Sequence, residues 1–289
     1  MHNYVNSNQS RKEDAMKFKR VFFVFLIGTM VTLLSFIPAM AENTLDKIKS
    51  RGEIVIGVKA DYKPYGYLDE SGKNIGVEID MAQDLVKRLG VKLKLVNVQT
   101  AQRNEFLIQG KIDLILATMS ENPQRRAVLG VIDPGYYAGG TNILTKKSNG
   151  FSKWEQLRGK KVCATQGAYY NKRVAELYGA EIVAFPGIAE ALTDLANGNC
   201  VAFLQDSTLI AGMLSDPKWK DYESPMPTED EKSWHLAVRK DELNGPFGEF
   251  IKGVVIDWHK TGFMLDLEKK WKLNPSPFVK EMHLKYKDK

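Results

Sequence analysis

Short apolar runs alternate along the chain with segments whose apolar residues recur every three or four positions. Residues 53–58 (EIVIGV) are typical of a buried strand, and residues 77–90 have helical spacing and end on a glycine. The same criteria predict further strands at 91–98, 112–117, 141–147, 161–165, 181–185, 200–205 and 234–240. They predict further helices from a Thr100 cap through Ile108 and at 168–178, 188–197, 207–214, 247–260 and 264–272.

Alternating strands and helices predict an α/β fold with parallel sheets covered on both faces. The pattern divides into two such units, and the extended segments near 141–147 and 234–240 suggest two crossings between two lobes. We expect residues 42–140 plus 237–289 to form lobe 1 and residues 141–236 to form lobe 2. Residues 216–233 are expected to be a loop, and the tail from Asn274 reads as Pro-rich, then polar and basic. A ligand would lie between the lobes.

The first 41 residues are set apart from this pattern. Lys17, Lys19 and Arg20 precede the apolar run 21–37, which ends at the small-residue site Ala39-Met40-Ala41. This order is typical of a secretory signal peptide, and we expect cleavage after Ala41. The alternative is a membrane anchor, although 17 residues is at the lower limit for a span.

The basic charge of the chain belongs partly to this leader. The whole sequence carries a net charge of +6, and the first 41 residues contribute five basic and two acidic side chains to it. The remainder is therefore near +3, which is weak support for a nucleic-acid partner. No Lys/Arg run with interleaved aromatics is present, so we expect no nucleic-acid binding.

The chain has two cysteines, Cys163 and Cys200. Export would bring them into an oxidising compartment, where an even pair is read as a disulfide. Two buried free thiols are the alternative. The four histidines form no ligand-type spacing with each other or with a cysteine, so we expect no metal site and no cofactor.

Three predicted strands end in chemically useful residues. Thr118, Ser120 and Arg125 follow one strand, Thr165 and Gly167 follow another, and Asp206 ends a third. Open α/β sheets bind ligands beyond the carboxyl ends of their strands. Two hydroxyls and a guanidinium suit a carboxylate, and Asp206 suits a cation, so together they suit a zwitterion. A helix cap is the alternative for Ser120 and Asp206, and a solvated position for Arg125.

Aromatic residues follow the first strand. Of Tyr62, Tyr65 and Tyr67, we expect one to face the cleft and the others to lie in the core or at the surface.

The ordered segments IGVKADYKPYGYLDESGKNIGVEIDMAQDLVKRLG, GKIDLILATMSENPQRR, GKKVCATQGAYY and GNCVAFLQDS resemble the extracytoplasmic solute-binding proteins of polar amino acid ABC transporters. The resemblance covers almost all of the chain after the leader. It implies the two-lobed type II periplasmic binding fold, which closes like a venus flytrap on one amino acid.

The resemblance also assigns residues. The family's carboxylate clamp matches Arg125 with Ser120 and Thr118, its amine-binding aspartate matches Asp206, and its stacking aromatic matches Tyr62. Its second-lobe backbone contact matches the stretch Thr165–Ala168, which includes Gly167. The chain departs from the family where Ala168 and Tyr169 replace hydroxyl residues, and where a Gly is inserted in DPGYY.

Two more matches to the family concern which amino acid side chain the ligand would carry. Family members that bind basic amino acids have an acidic residue where this chain has Lys59, and Arg103 matches an arginine of acidic amino acid binders. Together they suggest an acidic or amide ligand. Either residue could instead be solvated surface. A histidine that supports acidic ligands in some relatives is replaced by Ile188.

The resemblance implies a monomeric periplasmic protein that delivers an amino acid to an inner-membrane ABC permease, and not an enzyme. Two alternatives stay open. The same fold hosts cyclohexadienyl dehydratases, for which Glu121 is the nearest candidate acid. A binding module could also serve a receptor as a sensor.

Overall fold

A computed structural model describes residues 43–289 of the protein. The predicted signal peptide, residues 1–41, lies outside the described residues. The helices are α1 (Thr44–Arg51), α2 (Val77–Leu89), α3 (Arg103–Ile108), α4 (Pro123–Val128), α5 (Tyr170–Tyr178), α6 (Ile188–Ala196), α7 (Ser207–Leu214), α8 (Pro246–Thr261), α9 (Phe263–Lys270) and α10 (Pro277–Tyr286).

The strands are β1 (Glu53–Val58), β2 (Asp61–Tyr62), β3 (Gly66–Leu68), β4 (Asn74–Ile75), β5 (Lys92–Asn97), β6 (Leu114–Ile115), β7 (Leu129–Val131), β8 (Tyr137–Lys146), β9 (Lys161–Thr165), β10 (Glu181–Phe185), β11 (Ala202–Asp206), β12 (Tyr222–Glu223), β13 (Glu229–Trp234) and β14 (Ala237–Arg239). Short 3-10 helices cover Lys147–Asn149, Trp154–Leu157, Pro217–Trp219 and Lys240–Glu242. None of the helices between residues 43 and 289 combines the length and the apolar character that a membrane span requires.

Two larger sheets organise these elements. The first has the order β5-β1-β6-β14-β7, in which β1 is parallel to both neighbours and β14 is antiparallel to its own. The second has the order β10-β9-β11-β8-β12, with β13 also paired to β8. The strands β2, β3 and β4 form a small antiparallel sheet. The α/β prediction with two lobes is confirmed.

Two short segments carry the chain between the larger sheets, at 132–136 and 235–236. They are hydrogen-bonded to one another, since Ile132 N donates to Leu236 O at 3.0 Å; Tyr136 N also donates, at 2.8 Å, to the carbonyl oxygen of Trp234 at the end of β13. The predicted lobe limits at 140/141 and 236/237 stay a prediction; β8 already begins at Tyr137 in the second sheet.

Local sequence explains the elements that lead to the cleft. The apolar face of α2 is buried, and Gly90 ends the helix with φ +69°. Asn122 caps α4 by accepting a hydrogen bond from Arg125 N at 2.8 Å, and Pro123 occupies the first helical position. Asp206 in turn caps α7. These two caps place the polar residues that follow β6 and end β11 at helix N-termini.

Three local predictions were wrong. Thr100 does not cap a helix, because α3 begins at Arg103 after Gln102, without a side-chain cap. The expected loop 216–233 contains most of β13, whose polar sequence is held as a strand by pairing with β8. The expected single strand 234–240 is broken at residues 235–236, where the chain changes sheet.

Candidate functional site

A cavity of about 30 Å³ lies between the carboxyl ends of the strands of the two sheets. Its walls come from β2, from the ends of β9 and β11, and from the segments that follow β5, β6 and β9. The lining residues are Tyr62, Thr100, Arg103, Thr118, Ser120, Arg125, Thr165, Ala168, Tyr169, Tyr170, Gln205 and Asp206. Seven of the predicted site residues are among them, and the polar side chains of the two halves face each other.

Arg125 contacts both halves of the cleft. It is 6% exposed, and its guanidinium donates to the carbonyl oxygen of Ser120 and, at 3.2 Å, to that of Gly167 on the other side. Burial lowers the pKa of Arg125 to about 10, so the side chain is a cation at neutral pH. A planar cation at this position can bind a carboxylate with two parallel hydrogen bonds.

Thr118 and Ser120 lie beside this cation. Thr118 adopts the left-handed conformation (φ +46°), and its backbone N–H donates to Glu78 Oε1 at 2.7 Å. Within residues 43–289, neither hydroxyl group makes a hydrogen bond, and both residues line the cavity. The unusual backbone at Thr118 is thus fixed by Glu78, and the hydroxyls are left to a ligand.

Arg103 adds a second buried cation. It is 2% exposed, donates to the carbonyl oxygens of Ala117 and Thr118, and keeps its Nε–H without a partner in the described part of the chain. Burial, with Arg125 nearby, lowers its pKa to about 9. Arg103 therefore presents positive charge to the cavity, and the surface alternative for this residue is wrong.

Glu78 lies behind this wall of the cavity and is fully buried. Its Oε1 accepts hydrogen bonds from Thr118 N and from the hydroxyl of Tyr136, whereas its Oε2 is unpaired within residues 43–289. Burial raises the pKa of Glu78 to about 7. The sequence interpretation missed this residue, because it reads as an ordinary first-turn acid of helix α2.

Lys59 is buried at 1% exposure, so the surface alternative is wrong for this residue too. Its ammonium lies 2.9 Å from Asp61 Oδ1 and 3.4 Å from Thr100 Oγ1. Burial lowers the pKa of Lys59, against the opposing effect of Asp61. Lys59 is not among the residues that line the cavity, and its contact with a ligand stays a prediction.

Asp206 supplies the negative charge from the second sheet. It is 4% exposed, and its Oδ1 accepts hydrogen bonds from Thr208 N at 3.2 Å and Thr208 Oγ1 at 3.0 Å. Burial raises its pKa to about 7. Gly139 is required beside it, because a Cβ there would collide with the carboxylate. Asp206 is therefore both a helix cap and a cavity group.

The turn after β9 completes the second half. Thr165 is 2% exposed and accepts a hydrogen bond from Gln205 Nε2 at 3.2 Å, while the hydroxyl of Tyr170 is bonded to Gln205 Oε1. Gly167 has φ +76° and offers its carbonyl oxygen to Arg125. Tyr170 and Gln205 were not predicted as site residues. Their positions next to predicted site residues, in CATQGAYY and FLQDS, could have indicated them.

Tyr62 is the aromatic that faces the cavity among the three tyrosines considered. It is 4% exposed, meets Tyr65 and Trp234 edge-to-face with centroids 6.0 Å apart in each case, and has an unpaired hydroxyl within the described residues. Tyr65 lies in the core, and Tyr67 contacts Trp271. Trp234, which the sequence interpretation placed only in a strand, supports this aromatic wall.

Cys163 and Cys200 are joined in a disulfide with 5.6 Å between their Cα atoms, as predicted. Asp194 lies close to both, forming the one metal-type cluster in residues 43–289, but both sulfur atoms are used by the disulfide. The bridge ties β9 to the start of β11, two strands whose ends line the cavity.

Glu121 is not in the cavity. Its carboxylate pairs with Arg126, and it lines a separate surface pocket together with Asp133, Ser233 and His235. Among the described residues, Asp206 is the one carboxylate that lines the cavity.

Residues 54–274 match the family of bacterial extracellular solute-binding proteins, family 3. The chain belongs to this family. It is 31% identical to a glutamine-binding protein of Geobacillus stearothermophilus over 185 residues, covering 62% of this chain and 70% of that protein. It is 25% identical to a glutamate/aspartate import solute-binding protein of Salmonella typhimurium over 250 residues, covering 82% of each.

Solved structures agree with this membership. An ancestral amino acid-binding protein, described as a precursor of cyclohexadienyl dehydratase, is 28% identical, with a TM-score of 0.71, and covers 79% of this chain and 99% of its own. The family resemblance and the type II binding fold are therefore confirmed.

Proposed function

We propose that the chain captures a free L-amino acid between its two lobes and delivers it to an ABC transporter permease. The observation that carries the proposal is the placement of two buried side chains from opposite halves, Arg125 and Asp206, in the wall of one cavity. Their charges match the carboxylate and the ammonium of one amino acid.

The energetics of burial favour such a ligand. The carboxylate of Asp206 is desolvated, which its raised pKa of about 7 reflects. A charge in a buried site requires a partner of opposite sign, and an α-ammonium supplies it. Arg125, with the hydroxyls of Thr118 and Ser120, has the donors that an α-carboxylate requires. Tyr62 covers the ligand's carbon atoms.

The charge of the cavity wall favours an acidic side chain. Its charged side chains are two arginines, Arg103 and Arg125, and one acid, Asp206, which leaves one positive charge for a ligand of net charge −1. Glu78 behind the wall offsets that excess when it is ionised, and an amide side chain then fits as well. The glutamine and glutamate/aspartate binders among the relatives support this range of ligands.

The cellular setting follows from the family and from the leader. We infer that residues 1–41 contain a cleaved signal peptide, that the mature chain acts as a monomer in the periplasm, and that lobes 42–140 plus 237–289 and 141–236 close on the ligand. The dehydratase alternative is weakened, because Glu121, its candidate acid, lies outside the cavity. A sensor role would use the same site.

A thermal-shift screen of the purified protein against the common L-amino acids tests the proposal. A ligand at 100 times its Kd stabilises the folded chain by about 2.7 kcal/mol. We expect shifts with glutamate, aspartate or glutamine and none with arginine or lysine. Turnover of prephenate or arogenate would instead favour the enzyme alternative.

A further inference from the structure

Asp61 joins the two lobes at a point outside the cavity. It lies in β2, beside the first sheet, and its Oδ2 accepts a hydrogen bond from the backbone N–H of Ile188 at 3.3 Å. Ile188 is the first residue of α6, which packs on the second sheet. The contact therefore connects residues that are separated by the cleft and 127 positions along the chain.

The N-terminus of helix α6 lacks a side-chain cap of its own. Helix α6 begins after Gly187, which provides no side-chain cap, so the N–H of Ile188 depends on a partner from elsewhere. A negative charge at a helix N-terminus is favoured by the helix dipole. Glu190 already places one acid in the first turn of α6, but no side chain of this helix caps it, and Asp61 of the other lobe accepts the hydrogen bond of Ile188 N–H.

Lys59 holds the carboxylate in position. Its buried ammonium lies 2.9 Å from Asp61 Oδ1, the oxygen that does not face Ile188. The same ammonium approaches Thr100 Oγ1 at 3.4 Å. Because Lys59 and Asp61 belong to the same lobe, this ion pair does not depend on closure, whereas the bond to Ile188 does.

We propose that Asp61 is a positioning residue that raises ligand affinity by fastening the closed lobes, with Lys59 orienting its carboxylate. The inference rests on the proposed function, since it requires a ligand whose binding is coupled to closure. It gives Lys59 a role without ligand contact, in agreement with its absence from the cavity wall. Loss of a fastening contact lowers the fraction of competent protein and thereby the apparent affinity.

A double-mutant cycle tests this role by calorimetry with the amino acid that the parent binds best. Asp61→Asn removes the charge, and Ile188→Pro removes the N–H donor while keeping a residue suited to the first position of a helix. We expect each single variant to weaken binding about three- to tenfold, and the double variant to be no weaker than the worse single one. The weaker binding of the variants should come from faster ligand release than in the parent protein.

Matched controls separate this effect from general damage. Ile188→Val keeps the donor and nearly all of the packing, and Asp266→Asn changes an exposed acid of α9; both should bind within twofold of the parent. Fully additive effects of Asp61→Asn and Ile188→Pro, or affinities equal to those of the controls, would overturn the inference while the proposed function stands. A parent chain that binds no amino acid would overturn both.

Discussion

Asp206→Asn is the most informative substitution in the cavity, because it removes a charge and keeps the shape. Raising a carboxyl pKa from 3.8 to about 7 corresponds to about 4 kcal/mol of unfavourable free energy for the charged form. Above pH 7, Asp206 is charged in the ligand-free chain and this unfavourable free energy destabilises the fold. A bound ammonium would reduce it. Asparagine caps a helix as well as aspartate does, so the bond to Thr208 N should survive.

The sign of the stability effect follows from the raised pKa. The folded chain holds the proton of Asp206 up to about pH 7, whereas the unfolded chain releases it near pH 4, so stability falls as the pH rises between these values. Without ligand, Asp206→Asn should therefore be more stable than the parent at pH 8, by up to about 4 kcal/mol, and similar to it near pH 4. Denaturant unfolding at both pH values measures this difference.

The affinity should change in the opposite direction. At pH 8, calorimetry should show that Asp206→Asn weakens binding of the amino acid by about a hundredfold or more. Below pH 7 the parent should lose affinity as its carboxyl takes up a proton, and the variant should not. A dicarboxylate without the amine should be affected far less. Equal affinity of parent and variant for the amino acid at pH 8 would show that Asp206 is only a helix cap, and would refute the zwitterion reasoning.

Two further substitutions and one test of the disulfide address the remaining features of the cavity and its lobe. Arg125→Ala should nearly abolish binding, since a buried carboxylate loses its bidentate partner; less than tenfold weakening in calorimetry contradicts this. Glu78→Gln should stabilise the ligand-free chain at pH 8 and leave it unchanged near pH 4, because burial raises the pKa of Glu78 to about 7; thermal melts at both pH values decide. Intact-mass analysis of exported protein should find no alkylatable thiol at Cys163 or Cys200, and reduction of this 37-residue bridge should cost about 3–4 kcal/mol in denaturant unfolding.

Elements with one-sided apolar patterns were predictable from the sequence. Strand β1 and helix α2 occur where apolar spacing and Gly90 predict them, and the cap Asn122-Pro123 fixes the start of α4. Strand β13 was missed because its letters are polar, and only its pairing with β8 makes it a strand. Local pattern carries no information on such long-range pairing.

The residues of the candidate site likewise divide into those that the local sequence indicates and those that only the fold reveals. Arg125 and Asp206 could be assigned because each follows an apolar strand and opens a helix. Lys59 stays a predicted ligand contact, and its charge alone gives no hint that it is buried in an ion pair with Asp61. Glu78 was missed, because burial at 0% exposure, and not residue type, gives it its raised pKa. Charge is visible in a sequence, whereas desolvation depends on the fold.

The central claim is that the cleft captures one free amino acid. Its most direct test is a calorimetric titration of the protein, unfolded and refolded to remove any retained ligand, with L-glutamate, L-aspartate and L-glutamine. The account predicts saturable binding of at least one of them with one site per chain. The absence of binding heat for all three, under conditions where the refolded protein melts cooperatively, would contradict it.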